Sequence, residues 1–62
     1  MIFDNIKSLC EKRQISVSQL EKKVGFKNGT IGKWRVHSPT VANLSKVAEF
    51  LGVSVDWLMK ER

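Results

Sequence analysis

The sequence has one cysteine, one histidine, one proline and no tyrosine. A lone cysteine, Cys10, cannot form an internal disulfide, and one thiol gives no signature of a zinc site or a redox pair. The only histidine, His37, has no cysteine or acidic partner in the sequence that suggests catalysis or metal binding. We therefore expect no catalytic residue, no metal site and no cofactor, and an enzyme is the weakest functional interpretation.

Long apolar segments are also missing. No apolar run approaches the roughly 20 residues of a membrane span, and the N-terminus lacks the basic region and apolar stretch of a secretory signal. A chain of 62 residues with 42% hydrophobic residues favours a single small packed core over disorder. We expect one cytoplasmic domain over residues 1–62, with no membrane partner and no evident small-molecule substrate.

Acidic residues are absent from residues 22–35, and the net charge of the chain lies there. The formal charge of +5 equals the lysines and arginines of this segment, because acids and bases balance on both sides of it. The five cations are Lys22, Lys23, Lys27, Lys33 and Arg35. A focused positive patch attracts a polyanion such as nucleic acid. Because lysines often only solvate a helix face, a DNA contact by Lys22 or Lys23 stays open.

Apolar residues recur at helical spacing and predict an all-α fold, a compact bundle of five short helices. The first helix spans roughly residues 2–13, and the third spans about residues 28–35. The apolar positions of the five helices are, in chain order, Phe3, Ile6, Leu9 and Cys10; Val17, Leu20 and Val24; Ile31 and Trp34; Val41, Leu44, Val47, Ala48 and Leu51; and Val55, Leu58 and Met59. The end signals are Ser16 with Gln19, Ser38-Pro39 and Ser54 at N-termini, and Gly25 and Gly52 at C-termini.

Helices two and three are separated only by Gly25, Phe26 and Lys27. A turn this short that contains glycine is typical of the helix-turn-helix, whose second helix lies in the major groove of DNA. The residues that match a known family in order and spacing are Ser16, Leu20, Gly25-Phe26, Ile31, Trp34, Pro39, Leu44, Val47-Ala48, Leu51-Gly52-Val53-Ser54 and Asp56-Trp57-Leu58. Through this set, which covers nearly the whole chain, the protein resembles the lambda-repressor-like, Cro/CI-type (XRE) helix-turn-helix domains.

The resemblance implies that the third helix enters the major groove of double-stranded DNA, with Asn28, Thr30 and Lys33 facing the bases. Ile31 and Trp34 would point inward. Asparagine can pair bidentately with adenine, lysine can donate to guanine, and threonine can contact a phosphate or a thymine methyl group. The resemblance also implies phosphate contacts around this helix, from Ser18, Gln19, Lys27, Gly29, Arg35, His37 and Ser38.

Two departures from the family pattern modify these expectations. Val17 occupies the position where relatives usually begin helix two with glutamine, and Gly29 and Gly32 replace larger polar residues of many relatives. Each internal glycine costs a helix about 0.5–1 kcal/mol relative to alanine. We therefore expect fewer direct base contacts, a closer approach of the backbone to DNA, and a recognition helix that becomes firm only on binding.

Several residues have a second interpretation. Asn28-Gly29 is also a strong hairpin-turn pair, but its flanks lack the alternation of strands. Trp34 could stack on a base, although its helical spacing favours the core, and Cys10 is expected as a small buried hydrophobe rather than a redox sensor. His37 could contact phosphate or simply be exposed.

The predicted function is sequence-specific DNA binding by a transcriptional regulator, most simply a repressor of phage or prophage type. One helix reads only a few base pairs, so we expect a homodimer on a pseudo-palindromic operator, at least on DNA. Val55, Trp57 and Met59 are the candidate dimer interface, and Trp57 and Met59 could instead complete the core. For Trp57 we expect both: it caps the core and shares some of its surface at a dimer contact. A protein-binding module of the same fold, an antitoxin or antirepressor, is the alternative; it would use these residues together with Leu58.

Overall fold

Four α-helices and one 3₁₀ helix form the regular structure of residues 1–60, which are the residues that the computed structural model describes. The elements are α1 (Ile2–Lys12), α2 (Val17–Val24), the 3₁₀ helix (Gly32–Arg35), α3 (Val41–Leu51) and α4 (Val55–Met59). No strand occurs in these residues, so the all-α prediction is confirmed and the hairpin alternative is wrong. The α-helices number four and not five, because the third predicted helix is a turn followed by the 3₁₀ helix.

The core lies where α1 and α3 meet the shorter elements. α1 packs against α2, α4 and the 3₁₀ helix, and α3 packs against α2 and α4. The buried apolar side chains are Phe3, Ile6, Leu9, Cys10, Leu20, Ile31, Trp34, Leu44, Val47, Ala48, Leu51 and Leu58. Every apolar position predicted for the first and third helices is therefore buried, which confirms that the apolar spacing identifies core residues there.

Two positions assigned to apolar helix faces are exposed, and those assignments are wrong. Val41 is 75% exposed and Met59 is 55% exposed. Val41 is the first residue of α3, and helical side chains lean toward the N-terminus, so its side chain extends beyond the core. Met59 ends a helix of five residues, which turns little more than once and buries only Leu58. Completion of the core by Met59 is thus ruled out.

The predicted caps of α2 are present at both ends. The backbone N–H of Gln19 donates to the Ser16 hydroxyl at 3.0 Å, and the Ser16 N–H donates to the Gln19 side-chain oxygen at 2.8 Å. This reciprocal pair is a capping box. Gly25 ends α2 at φ +83° and Gly52 ends α3 at φ +72°, both in the left-handed region that favours glycine. Ser54 caps α4 through its hydroxyl, as predicted.

The predicted start of α3 is wrong by two residues. Thr40, and not Ser38, is the N-cap: its hydroxyl accepts the backbone N–H of Asn43 at 3.1 Å, and the first helical residue is Val41 instead of Pro39. Ser38 and Thr40 both carry a hydroxyl that can cap a helix, so local chemistry permits either start. The packed chain selects the later one and leaves the residues before it in a loop.

Two polar side chains from α1 and its C-cap hold the ends of the C-terminal helices. Asn5, which is 3% exposed, donates through Nδ2 to the carbonyl groups of Leu58 at 2.8 Å and Lys60 at 2.7 Å. The Arg13 guanidinium donates to the carbonyl of Leu51, the last residue of α3. These bonds satisfy carbonyl groups at helix ends that have no partner within their own helix. The two Asn5 bonds also fix α4 against α1.

Candidate nucleic-acid interface

The turn after α2 is held by backbone hydrogen bonds and by an aromatic contact. The Gly25 N–H donates to the Lys22 carbonyl at 3.2 Å, and the Phe26 N–H donates to the Glu21 carbonyl at 2.8 Å. The half-buried Phe26 ring meets Trp34 edge to face, with centroids 6.0 Å apart and ring planes at 69°. This contact joins the turn to Trp34, a core residue that lies further along the chain.

Residues 28–35, here called the reading segment, do not form a continuous helix, so that prediction is wrong. Turns occupy residues 28–31, and the 3₁₀ helix Gly32–Arg35 follows. Gly29 has φ +91°, a left-handed value that a right-handed helix cannot contain. A Cβ atom at Gly29 would meet nothing within 4 Å. The backbone conformation, and not a lack of space, is therefore what requires glycine there.

The hydrogen bonds of the reading segment mix two helix types. The Lys33 N–H donates to the Gly29 carbonyl, four residues back, at 3.2 Å, whereas the Trp34 N–H donates to the Ile31 carbonyl, three residues back, at 2.9 Å. Ile31 and Trp34 are both buried. Their spacing of three suits the three residues per turn of a 3₁₀ helix as well as an α-helix. Apolar spacing alone could not distinguish the two.

A buried carboxylate of α2 lies behind the reading segment. Glu21 is 2% exposed; its Oε1 accepts the Gly29 N–H at 3.0 Å and its Oε2 accepts the Ile31 N–H at 2.7 Å. From the sequence, Glu21 was considered only as one of the acids that balance the charge, so its binding to the backbone of the reading segment was not predicted. A signal existed, because Glu21 lies four residues after Val17 on the inner face of α2, where an acid needs buried partners.

The three predicted base-reading residues lie at or near the surface. Asn28 and Lys33 are exposed and Thr30 is half-buried. Trp34, for which base stacking was the other interpretation, is only 7% exposed and belongs to the core. The reading segment therefore has an inner and an outer side, although the roles of its outer residues at DNA remain predictions.

One predicted base reader and one predicted phosphate contact meet directly. The Ser18 hydroxyl on α2 donates to Asn28 Oδ1 at 2.9 Å. Bidentate pairing with adenine uses both the oxygen and the nitrogen of the asparagine amide. Oδ1 has a second lone pair, and the Nδ2 donors have no partner within residues 1–60, so Asn28 keeps this capacity while Ser18 orients it.

The residues predicted to contact phosphate are all exposed. They are Ser18, Gln19, Lys27, Gly29, Arg35, His37 and Ser38. The Arg35 guanidinium carbon lies 4.3 Å from the centroid of the Phe3 ring, a cation–π contact that restrains the side chain. The planar guanidinium keeps its N–H donors at its edge, where an anion can reach them. The backbone N–H of His37 donates to the Lys33 carbonyl at 2.9 Å, which ties the loop to the reading segment.

Positive charge at this surface is not neutralised by other residues of the described part. All five cations of residues 22–35 are exposed, Lys22 and Lys23 among them, and none forms an ion pair within residues 1–60. Glu21, the acid adjacent to them in sequence, is buried and bonded to backbone N–H groups. The field of the cations is therefore directed toward solvent, where a polyanion would approach.

Three further properties of the described residues bear on function. Cys10 is 1% exposed, and burial raises the pKa of its thiol, in keeping with the predicted buried hydrophobe. No group of three His, Cys, Asp or Glu side chains among the described residues could hold a metal ion. None of the helices in that part of the chain has the length and apolar character needed to cross a membrane.

A helix-turn-helix family model matches residues 6–58, which include α2, the turn, the reading segment and α3. The chain therefore belongs to the XRE-type helix-turn-helix family of Cro/CI-like domains, as its motifs predicted. No curated protein and no solved structure gives a significant match. The family consists of DNA-binding regulatory domains, and this chain is a DNA-binding regulator of that type.

Proposed function

We propose that the protein is a sequence-specific transcriptional repressor of phage or prophage type, acting as a homodimer on a pseudo-palindromic operator. The observation that carries this proposal is the coincidence of the unneutralised cations of residues 22–35 with the exposed side of the helix-turn-helix. Repression would come from occupancy, because the bound dimer excludes polymerase or a competing regulator. The cytoplasm is the proposed location, since a lone thiol suits a reducing compartment.

In this proposal the outer residues of the reading segment read bases and its flanks bind phosphates. Asn28 pairs with adenine through its amide, Lys33 donates to guanine, and Thr30 contacts a thymine methyl group or a phosphate. A turn followed by a short 3₁₀ helix presents fewer side chains along the groove than a full α-helix. We therefore propose few base contacts per subunit and a large share of affinity from three or four phosphate contacts, drawn from Ser18, Gln19, Lys27, Arg35, His37 and Ser38. Gly29 is not among them, because its N–H, the only donor that it has, is bonded to Glu21.

Two subunits compensate for this limited reading. Val55, Trp57 and Met59 on α4 are the proposed dimer interface, because Met59 is exposed and the other two are only half-buried. A symmetric dimer would place two reading segments about 34 Å apart, one turn of DNA. Each mismatched base pair typically costs about 1–3 kcal/mol, so a second half-site greatly increases discrimination.

The test is selection from random duplex with the purified 62-residue chain, followed by binding at several salt concentrations. A pseudo-palindromic consensus is the expected result, and its symmetry reports the number of subunits bound. With three or four phosphate contacts per subunit, log affinity against log salt should have a slope of roughly −5 to −7 for the dimer. Absence of an enriched site, or a slope near zero, would contradict the proposal.

A protein-binding module, an antitoxin or antirepressor, is the second candidate. It is favoured by exposed apolar side chains outside the proposed DNA surface, Phe50 at 43% and Met59 at 55%. Leu58 no longer supports it, because that side chain is fully buried. Gel filtration of the protein alone and with a random duplex at low salt separates the candidates. A shift of the protein by DNA without any partner favours the regulator.

A further inference from the structure

We infer that Glu21 is the positioning residue of the reading segment and that sequence discrimination depends on its carboxylate. The inference rests on the proposed function, because it concerns the same DNA-reading surface. Glu21 does not face DNA: it is 2% exposed and lies on the inner face of α2. It acts through the backbone of the segment that carries Asn28, Thr30 and Lys33.

The geometry is a two-point clamp. One carboxylate oxygen of Glu21 accepts the N–H of Gly29, and the other accepts the N–H of Ile31. These two N–H groups flank Thr30, and the first of them follows Asn28 directly. Holding both fixes the path of the backbone at the point where two of the proposed base readers leave it.

A second contact from the same helix supports the clamp. Ser18 lies three residues before Glu21, on the same side of α2, and its hydroxyl holds Asn28 Oδ1 at 2.9 Å. α2 thus orients the reading segment at two points. Glu21 holds the backbone of the segment, and Ser18 holds the side chain of Asn28. A continuous helix would set the direction of its side chains through its own hydrogen bonds, whereas this segment depends on its neighbour.

Glycine at position 29 completes the arrangement. Its φ of +91° turns the N–H toward the carboxylate, and an added Cβ would meet no atom within 4 Å. Gly32, which follows three residues later, has no positive φ and equally open surroundings. The two glycines therefore form a matched pair: alanine strains the backbone at position 29 and not at position 32.

The direct test is Glu21→Gln, which keeps the shape of the side chain but presents an N–H donor where one of the two accepting oxygens was. The control is Glu49→Gln, an exposed residue of α3 that undergoes the same loss of one negative charge. Affinity is measured for the duplex selected by the wild type and for a random duplex. Thermal unfolding and the amide NMR shifts of Gly29 and Ile31 are followed in parallel.

We expect Glu21→Gln to bind the selected duplex about tenfold more weakly, the effect of roughly one lost base-pair preference. Binding to random duplex should be unchanged or slightly tighter, because an acid has been removed. The two amide signals should shift while the Glu49→Gln protein keeps the wild-type ratio of affinities. A Glu21→Gln protein that is folded and keeps that ratio overturns the inference, as does an equal loss on both duplexes.

If Glu21→Gln does not fold, alanine substitutions at the two glycines test the inference instead. Gly29→Ala should lower the ratio of affinities for selected and random duplex about tenfold, and Gly32→Ala should change it less than twofold. Equal effects of the two substitutions would overturn the inference. A wild-type protein without any site preference would refute the proposed function itself, and the reading role of Glu21 with it.

Discussion

The two halves of the helix-turn-helix are built in opposite ways. α2 supplies its own ends: Ser16 and Gln19 cap the start reciprocally, and Gly25 closes the end in the left-handed conformation. The reading segment has no side-chain cap of its own and no full helical turn of uniform hydrogen bonds. Its backbone is held instead by Glu21 of α2. α2 is therefore a local structure, whereas the shape of the reading segment depends on contacts with α2.

Both halves rest on the same core, so a core substitution should have the largest effect. Leu44 is 4% exposed, and Leu44→Ala should cost about 2–5 kcal/mol of stability because it leaves a cavity. A domain of this size has little stability to spare, so we expect it to unfold at or near room temperature. Urea or thermal denaturation followed by circular dichroism measures the loss.

Val41→Ala is the matched control for that experiment. Val41 lies three residues earlier on α3, but its side chain is 75% exposed, and its truncation should change the free energy of unfolding by less than about 0.5 kcal/mol. A comparable loss for both variants would show that the apolar face of α3 is assigned incorrectly.

The next largest effects concern the outer side of the reading segment. Asn28→Ala and Lys33→Ala should each remove about 1–3 kcal/mol of discrimination at particular base pairs, since they delete proposed base contacts. Lys27→Ala should weaken all duplexes about equally and reduce the salt slope by about 1 per subunit, since it deletes a proposed phosphate contact. A panel of single-base-pair variants of the selected duplex measures both.

Lys46→Ala, an exposed cation on α3 outside the charged segment, controls for the change in total charge. It should leave both discrimination and salt slope close to those of the wild type. If Asn28→Ala and Lys27→Ala give the same profile across the panel, the division between base readers and phosphate contacts is incorrect.

The smallest expected effect tests the self-sufficiency of α2. Ser16→Ala removes the hydroxyl that accepts the Gln19 N–H, and loss of such a cap costs about 1 kcal/mol. Because the cap belongs to α2 alone, the amide signals of Gly29 and Ile31 should move little. Ser45→Ala, an exposed site in α3, should not destabilise. A large shift of the Gly29 and Ile31 amide signals in Ser16→Ala would mean that the cap stabilises the reading segment as well as α2.

Much of the fold is predictable because it depends on contacts near in sequence. Helical spacing located the buried apolar residues of α1 and α3, and a capping box with a closing glycine marked α2. The errors occur where two local solutions compete. Ser38 and Thr40 can both cap α3, and a spacing of three between Ile31 and Trp34 fits two kinds of helix. Only packing distinguishes between them.

The candidate site divides in the same manner. Its charge and its place in the motif can be read from residues 22–35, because lysines and arginines without nearby acids need no fold to be recognised. The contacts that orient the candidate site cannot be read from the sequence. Glu21 reaches Gly29 and Ile31 across eight and ten residues, and Asn5 reaches Leu58 across 53. The position of Glu21 on the inner face of α2 indicates that it needs buried partners, but no local pattern shows which groups those partners are.

From the order of its residues alone, this protein is all-helical and carries its net positive charge in one segment, because periodicity, caps and charge are local properties. The order and spacing of its motifs made it resemble the XRE-type DNA-binding domains, and the family match confirmed that resemblance. Whether its reading segment is a helix or a turn was decided only when the chain packed. A buried carboxylate must find donors away from water, and the carboxylate of Glu21 finds them in the backbone N–H groups of Gly29 and Ile31.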